Sequence, residues 1–164
     1  MEQVFWPLFP VAVTAGLAAI LLRLAVIDIK TLRLPDTYTW PLILVGLALS
    51  ALVALPAPGD RVIGAVGGFL SLALIGAVHF RRTGVEGLGL GDAKLFAAAG
   101  AWLGWQALPV VMLIAAVAGL IYATAFRRGP RDAPLPFGPM LAAAFLTVWI
   151  AQSFFPPARV VLGP

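Results

Sequence analysis

Cysteine is absent from the 164 residues of this chain, and histidine occurs only once, at His79. Without cysteine there can be no disulfide, no thiolate zinc site and no cysteine nucleophile. One histidine is also too few for a histidine-based metal cluster. We therefore expect neither a metal site nor a cofactor, and the enzyme classes that depend on cysteine thiols are excluded.

Charge is scarce as well, because charged residues make up 11% of the chain and hydrophobic residues 62%. A mean hydropathy of +1.01 excludes an ordinary soluble globule and predicts a chain that lies mostly in a membrane. The net charge of +4 suggests nucleic acid at first, but the basic residues occur in short clusters between apolar runs. Membrane topology explains that arrangement better, so no nucleic-acid partner is predicted.

Six apolar segments alternate with polar or proline-rich connections, at residues 4–27, 38–55, 62–80, 92–105, 108–126 and 136–155. No Lys or Arg precedes the first segment, which therefore lacks the positive region of a signal peptide and is predicted to be a retained span. About 20 residues are needed to cross the hydrocarbon core, so the fourth segment is either buried in the bundle or tilted in a thinned bilayer. The sequence predicts one all-α membrane domain over residues 1–164, with about six transmembrane segments.

The basic residues are distributed unevenly over the two sides of this arrangement. With the N-terminus outside, nine of them lie on the cytoplasmic side and two on the other, which is a positive-inside pattern. The nine are Arg23, Lys30, Arg33, Arg81, Arg82, Lys94, Arg127, Arg128 and Arg131, and the two are Arg61 and Arg159. The same orientation predicts that Asp28 and Asp92 are on the cytoplasmic side.

These two aspartates lie at equivalent depths, Asp28 at the end of the first segment and Asp92 at the start of the fourth. Neither has a basic residue four positions further along, where a helix would bring a neutralising charge onto the same face. Brought together, two carboxyl groups compete for one proton, and one acid with one base around a water is the working unit of an aspartic protease. The alternative is that each aspartate caps a helix, although a helix C-terminus, where Asp28 lies, disfavours a carboxylate.

Three stretches resemble the motifs of type IV prepilin peptidases, which are membrane aspartic proteases of the Gly-x-Gly-Asp class. Residues 84–105, which contain four closely spaced glycines before Asp92, resemble the glycine-aspartate motif of that family. Residues 27–37 resemble its first motif, an aspartate followed at a fixed distance by an aliphatic-Pro-polar turn. Residues 135–140 resemble its third recurring element, near the start of the last span. The three motifs occur in the right order and cover nearly the whole chain.

The resemblance implies that Asp28 and Asp92 are the catalytic pair of an endopeptidase. In that family the enzyme cleaves the basic leader of prepilin or pseudopilin precursors at the cytoplasmic face of the bacterial inner membrane. One aspartate would take a proton from water while the other polarises the scissile carbonyl. Larger members carry a cysteine-containing insertion linked to N-methylation, so this cysteine-free chain resembles the peptidase core and is not expected to be a methyltransferase.

The same resemblance suggests substrate-binding or loop-shaping residues, which are Pro35, Glu86, Gly89, Gly91, Lys94, Phe137, Gly138 and Pro139. Several of them have structural interpretations instead. For Lys94 the alternatives are contact with an aspartate or a lipid phosphate and, as the default, a lysine that extends to the membrane interface. For Glu86 they are contact with the basic residues of the leader and a solvated loop charge. Phe137 and the two residues after it are expected to shape the start of the last helix. Asp36 is predicted to cap the second helix, with Pro35 setting the turn.

Two small-residue pairs and the tryptophans are assigned to packing and to the membrane interface. Gly64-x-x-x-Gly68 and Gly100-x-x-x-Gly104 are expected to bring helices together inside the monomer rather than across a dimer. The tryptophans are expected to form an aromatic belt, and they are Trp6, Trp40, Trp102, Trp105 and Trp149.

Other functions also fit the residues. One is a membrane protease of the same chemistry with a substrate that is not a pilin. Another is a small transporter whose paired aspartates relay protons. A third is an inactive scaffold of a pilus or secretion assembly. The predicted partners are a prepilin precursor and the lipid bilayer, and the sequence does not determine the oligomeric state.

Overall fold

The computed structural model describes residues 2–49, 56–84, 89–126 and 135–154, with only the backbone for residues 2–9. Its six α-helices are α1 (Glu2–Thr31), α2 (Asp36–Ala48), α3 (Pro58–Thr83), α4 (Leu90–Leu103), α5 (Leu108–Ile121) and α6 (Gly138–Phe154). A 3₁₀ turn, Trp105–Ala107, links α4 to α5, and a π-helical turn, Tyr122–Phe126, follows α5. The described ranges contain no strand, so the predicted all-α fold is confirmed.

Three stretches of helix are long and apolar enough to cross a membrane, namely Pro10–Thr31, Pro58–Thr83 and Trp105–Ala125. Helix α6 is apolar but shorter, and α2 and α4 have 13 and 14 residues. The molecule is therefore a helical membrane bundle, as its composition predicts. Six complete crossings remain a prediction.

Helix α4 lies in the centre of the bundle. Ten of its 14 residues are buried, and it packs against α3, α2 and α6, while α1 packs mainly against α6. At ~1.5 Å per residue α4 is only about 21 Å long, shorter than the ~30 Å hydrocarbon core. Because its surroundings are protein, α4 does not have to match the thickness of the bilayer. The buried alternative for the fourth segment is the correct one.

The closest approach of α3 to α4 occurs at Gly64 and Gly100. A Cβ on Gly64 would lie 2.6 Å from the carbonyl oxygen of Gly100, and a Cβ on Gly100 would overlap the carbonyl group of Gly64. A Cβ on Gly68 would lie 3.0 Å from the carbonyl oxygen of Phe96. The predicted packing of these glycines inside the monomer is confirmed. Gly104 instead ends α4, with a φ of 80° that favours glycine.

Trp102 belongs to the core, so the prediction of an aromatic belt is wrong for this residue. It is 3% exposed, and its indole Nε1 donates to the carbonyl oxygen of Leu42 at 2.8 Å. Its ring meets those of Phe145 and Trp149 edge to face. The reason is that α4 is surrounded by helices, so its tryptophan faces protein, where the carbonyl satisfies the indole N–H. Of the other tryptophans, Trp40 and Trp105 are exposed, and the side chain of Trp6 lies outside the described part of the chain.

Arg61 connects helices by hydrogen bonds at the end of the bundle that is remote from the aspartates. Its side chain is 1% exposed and donates to the carbonyl oxygens of Gly46 at 3.0 Å and Pro56 at 3.1 Å. A longer contact of 3.5 Å reaches the carbonyl oxygen of Ala101. Because Gly46 and Ala101 lie in the last turns of α2 and α4, Arg61 satisfies carbonyl groups where these helices end.

Candidate active site

Asp28 lies in the last turn of α1 and is 5% exposed. Its Oδ2 accepts the backbone N–H of Gly138 at 3.0 Å. Gly138 is the first residue of α6, so the carboxylate lies at the positive end of that helix and satisfies one of its free N–H groups. This contact accounts for an aspartate at the unfavourable C-terminal end of α1. Asp28 thus does bind a helix N-terminus, but that of α6, which is distant in sequence.

Gly138 has no room for a side chain because Asp28 occupies the space. A Cβ at this position would lie 2.7 Å from Oδ2 of Asp28 and 2.9 Å from its Cγ. Any other residue would displace the carboxylate or the start of α6. Gly138, predicted to bind substrate or shape a loop, therefore contacts Asp28 directly.

The two neighbours of Gly138 shape the start of α6, as expected. Phe137 is partly buried against the core, near Gly119 of α5, and its carbonyl oxygen accepts the N–H of Leu141 at 3.1 Å. Pro139 occupies the first turn of α6, where no backbone N–H is required, and it also lines a shallow cleft between α1 and α6.

Asp92 is the third residue of α4 and is half-buried. It is not the N-cap residue, because that position belongs to Gly89, and α4 has no hydrogen bond from a side chain at its N-cap. The backbone of Gly89 is extended (φ −72°, ψ 147°), a conformation open to any residue. The backbone of Gly89 nevertheless hydrogen-bonds to the carboxylate of Asp92, which also lies where the helix dipole favours a negative charge.

The two aspartates lie near each other at one end of the bundle. They come from α1 and α4, and the charge of Asp28 acts on the carboxyl group of Asp92. Helix α6 packs against both of these helices, which brings the end of α1 and the start of α4 to the same place. Two carboxyl groups in such a position share a proton more readily than they carry two negative charges. The arrangement can supply one acid and one base to a bound substrate.

The connection between α1 and α2, residues 32–35, is shorter than the polar stretch from Asp28 to Thr37 suggests. Helix α1 continues to Thr31 because the N–H of Leu32 still donates to the carbonyl oxygen of Asp28 at 2.8 Å. Leu32 then turns the chain with a φ of 53°, in the left-handed region that L-residues rarely adopt. The predicted connection at residues 28–37 is therefore too long at its start, since hydropathy falls before the helical hydrogen bonds end.

Gly91, one residue before Asp92, is packed against this connection. A Cβ on Gly91 would lie 2.9 Å from the Cβ and 3.2 Å from the backbone nitrogen of Leu34, which is itself buried. The space beside Gly91 is therefore filled by the protein. Among the described glycines before Asp92, which are Gly84, Gly89 and Gly91, Gly84 needs conformational freedom because it ends α3 with a φ of 70°.

Lys94 and Asp36 form an ion pair across α4 and α2, with Nζ 2.5 Å from Oδ1. The predicted capping role of Asp36 is wrong, because Pro35 occupies the N-cap of α2 (φ −71°, ψ 139°) and makes no side-chain cap. Asp36 is the first helical residue, and its carboxylate faces Lys94. Of the alternatives for Lys94, contact with an aspartate is the one observed, and its location at the membrane interface stays a prediction. Nothing in the sequence identified this pair, since its members are 58 positions apart.

Glu86 lies outside the described residues, so its predicted contact with substrate stays a prediction. The remaining candidates divide into two groups. Pro35, Gly91 and Lys94 surround Asp92 or the connection beside it, whereas Phe137, Gly138 and Pro139 form the start of α6 beside Asp28. Gly89 begins the helix that carries Asp92.

The chain matches the type IV leader peptidase family over residues 15–124, a span that contains both aspartates. It is 49% identical over 142 residues to a protein named prepilin leader peptidase/N-methyltransferase from Pectobacterium carotovorum subsp. carotovorum, which covers 84% of this chain and 50% of that relative. A protein of the same name from Burkholderia pseudomallei is 48% identical over 131 residues, or 78% of this chain and 42% of the relative.

A further relative of that name, from Aeromonas salmonicida, is 44% identical over 135 residues, which are 80% of this chain and 45% of the relative. The chain thus spans about half the length of the curated relatives it matches. No solved structure matches it. The extent of the family match, together with these identities, shows that the chain belongs to the type IV leader peptidase family.

Proposed function

We propose that this protein is an aspartic endopeptidase that removes the leader peptide of type IV prepilins or pseudopilins, with Asp28 and Asp92 as its catalytic pair. The observation that carries the proposal is the proximity of two carboxyl groups at one end of the bundle, from segments 92 − 28 = 64 residues apart. Membership in the leader peptidase family supplies the class of substrate.

The proposed chemistry uses the two carboxyl groups as base and acid around one water. The ionised aspartate takes a proton from the water as its oxygen attacks the scissile carbonyl carbon. The protonated aspartate donates a hydrogen bond to the carbonyl oxygen, on which negative charge develops. Collapse of the tetrahedral intermediate transfers a proton to the departing amine, so the enzyme forms no covalent bond to the substrate.

The N–H of Gly138 holds one member of this pair. A backbone donor at a helix N-terminus has a fixed direction, and it favours a carboxylate at the position that Asp28 occupies. In the proposed mechanism Asp28 is held in a defined orientation through Oδ2 and acts on the water through Oδ1. The N-methyltransferase activity in the names of the relatives is not part of the proposal.

We also propose that residues 1–164 act as one membrane-embedded domain of the bacterial inner membrane, with the N-terminus outside and the site on the cytoplasmic side. The support for this orientation is the nine-to-two distribution of basic residues. The prepilin would then lie with its apolar segment in the bilayer and its basic leader at the face that carries the two aspartates.

The test is leader removal from a prepilin by the purified protein or on co-expression. Asp28→Asn and Asp92→Asn keep the shape of each side chain but remove its acid–base function, so each should lower cleavage by about 10³-fold or more. Asp60→Asn is the matched control, because Asp60 also lies in the first turn of a helix but binds Trp105 instead. Leader removal that persists in either folded active-site variant contradicts the two-aspartate mechanism, and proton-coupled flux without any cleavage would indicate a transporter.

A further inference from the structure

We propose that Asp36 and Lys94 form a positioning pair that fixes the location of Asp92 relative to Asp28. The inference rests on the proposed peptidase function, because it assigns the pair to the working geometry of the two aspartates. Neither Asp36 nor Lys94 has to touch the substrate for this role.

The pair joins the start of α2 to the first turns of α4. Lys94 follows Asp92 by two positions, and its Nζ lies 2.5 Å from Oδ1 of Asp36. The lysine side chain is 19% exposed and the aspartate side chain 59% exposed. The lysine stem is thus largely enclosed by protein, and its charged end lies at the surface beside Asp36.

A second contact lies on the other side of Asp92. Gly91 packs against Leu34 so closely that a Cβ would approach the Leu34 Cβ to 2.9 Å. The two contacts run in parallel, Leu34 with Gly91 and Asp36 with Lys94, and Asp92 lies between them. Two points of attachment restrict both the rotation of the first turn of α4 and its shift along the α1–α2 connection.

Asp92 lies in the first turn of α4, whose N-cap residue Gly89 offers no capping side chain. The bonds that close this turn are local, because Gly89 accepts the N–H of Asp92 at 3.1 Å and its backbone also hydrogen-bonds to the Asp92 carboxylate. Such local bonds keep the turn helical, but they do not set where it lies relative to the rest of the bundle, and helix ends fray easily. Tertiary contacts close to Asp92 set that position.

The contacts also add a second link between the two helices that carry the aspartates. Helix α1 packs mainly against α6, and α4 packs against α3, α2 and α6, so α6 is the first link. The connection at residues 32–35 begins four positions after Asp28 and leads directly into Asp36. By pairing with Asp36, Lys94 ties the turn that carries Asp92 to the chain segment that leaves Asp28.

An exposed ion pair usually contributes little to stability, whereas catalysis is sensitive to small displacements of reacting groups. Loss of the pair should therefore reduce kcat much more than it reduces folding. Asp36→Asn and Lys94→Gln should each lower kcat about tenfold and leave KM within about twofold. The kcat of the double variant should not fall below that of the less active single variant, because both changes remove the same contact.

Two further variants separate positioning from a general structural effect. Lys94→Arg keeps the cation and should retain kcat within about threefold of the wild type. Asp60→Asn removes a carboxylate from the first turn of α3, where it binds Trp105, and should leave kcat unchanged. Unchanged kcat in both Asp36→Asn and Lys94→Gln would overturn the proposal, as would a rise in KM at constant kcat, which would indicate substrate binding.

A readout without substrate keeps this test separate from the proposed function. Hydrogen exchange of the backbone N–H groups in the first turn of α4, followed in detergent, reports how firmly this turn is held. Asp36→Asn and Lys94→Gln should each speed this exchange severalfold, while exchange at the start of α3 stays at the wild-type rate. Unchanged exchange in both variants would refute the positioning role. Failure of the wild type to cleave any prepilin would refute the peptidase proposal and leave the exchange measurement to decide on the pair.

Discussion

The two aspartates are held in different ways. Asp28 is buried, and a backbone N–H from a helix that begins 110 positions later fixes its carboxylate. Asp92 is half-buried in the first turn of a helix without a side-chain cap, beside an ion pair that is partly exposed. The main-chain partner of Asp28 thus belongs to a distant helix, whereas that of Asp92 is Gly89 in its own first turn, whose position depends on side-chain contacts with the α1–α2 connection and α2. The pair combines a fixed member with one whose position depends on contacts that are easier to alter.

Among substitutions outside the aspartates, we expect the largest effect from one that displaces Asp28, the firmly held aspartate. Gly138→Ala places a Cβ within 2.7 Å of Oδ2 of Asp28. The carboxylate or the start of α6 must then move, and we expect leader cleavage to fall by at least ~100-fold. Gly67→Ala in α3 is the matched control, because a Cβ there meets nothing within 4 Å. Cleavage by folded Gly138→Ala at the wild-type rate would show that Asp28 is not rigidly held.

A glycine-to-alanine substitution beside Asp92, the less firmly held aspartate, should have a smaller effect. Gly91→Ala brings a Cβ within 2.9 Å of the Leu34 Cβ, but the connection at residues 32–35 has more freedom to shift than a buried helix start. We expect kcat to fall about tenfold, which is less than for Gly138→Ala. Leu34→Gly in the same chain removes the clashing Cβ and should recover part of the loss. If Gly91→Ala is the more damaging of the two glycine variants, the contrast between the two aspartates is wrong.

The smallest effect is expected at Leu32, between the two regions. The φ of 53° at Leu32 costs an L-residue roughly 1–2 kcal/mol, which glycine would avoid. Against this, the larger entropy of glycine in the unfolded chain costs about 0.5–1 kcal/mol. Leu32→Gly should therefore raise the free energy of unfolding by about 0.5–1 kcal/mol, measured as a higher Tm in detergent. Ile29→Gly is the control, because Ile29 is exposed in the last turn of α1, and it should lower Tm. A lower Tm for Leu32→Gly would mean that the leucine side chain contributes more than its conformation costs.

The sequence predicted the six helices and the meeting of Asp28 with Asp92, because hydropathy marks the apolar segments and the motifs are specific. It did not predict what holds either aspartate. The bonds from Asp28 to Gly138 and from Asp36 to Lys94 join distant positions, and no local pattern records such pairings. Hydropathy also cannot distinguish burial in lipid from burial in protein, which is why Trp102 was assigned to a membrane interface although it lies in the core.

The contact between Asp28 and Gly138 has a consequence for how the proposed active site is assembled. Both aspartates have been synthesised by residue 92, but the N–H that holds Asp28 belongs to the first residue of the last helix. A chain inserted only as far as α5 carries both carboxyl groups and lacks the donor that orients one of them. Because synthesis runs from the N-terminus, the site is completed only when α6 joins the bundle. A nascent or truncated chain would therefore remain inactive in the membrane until its last helix is in place.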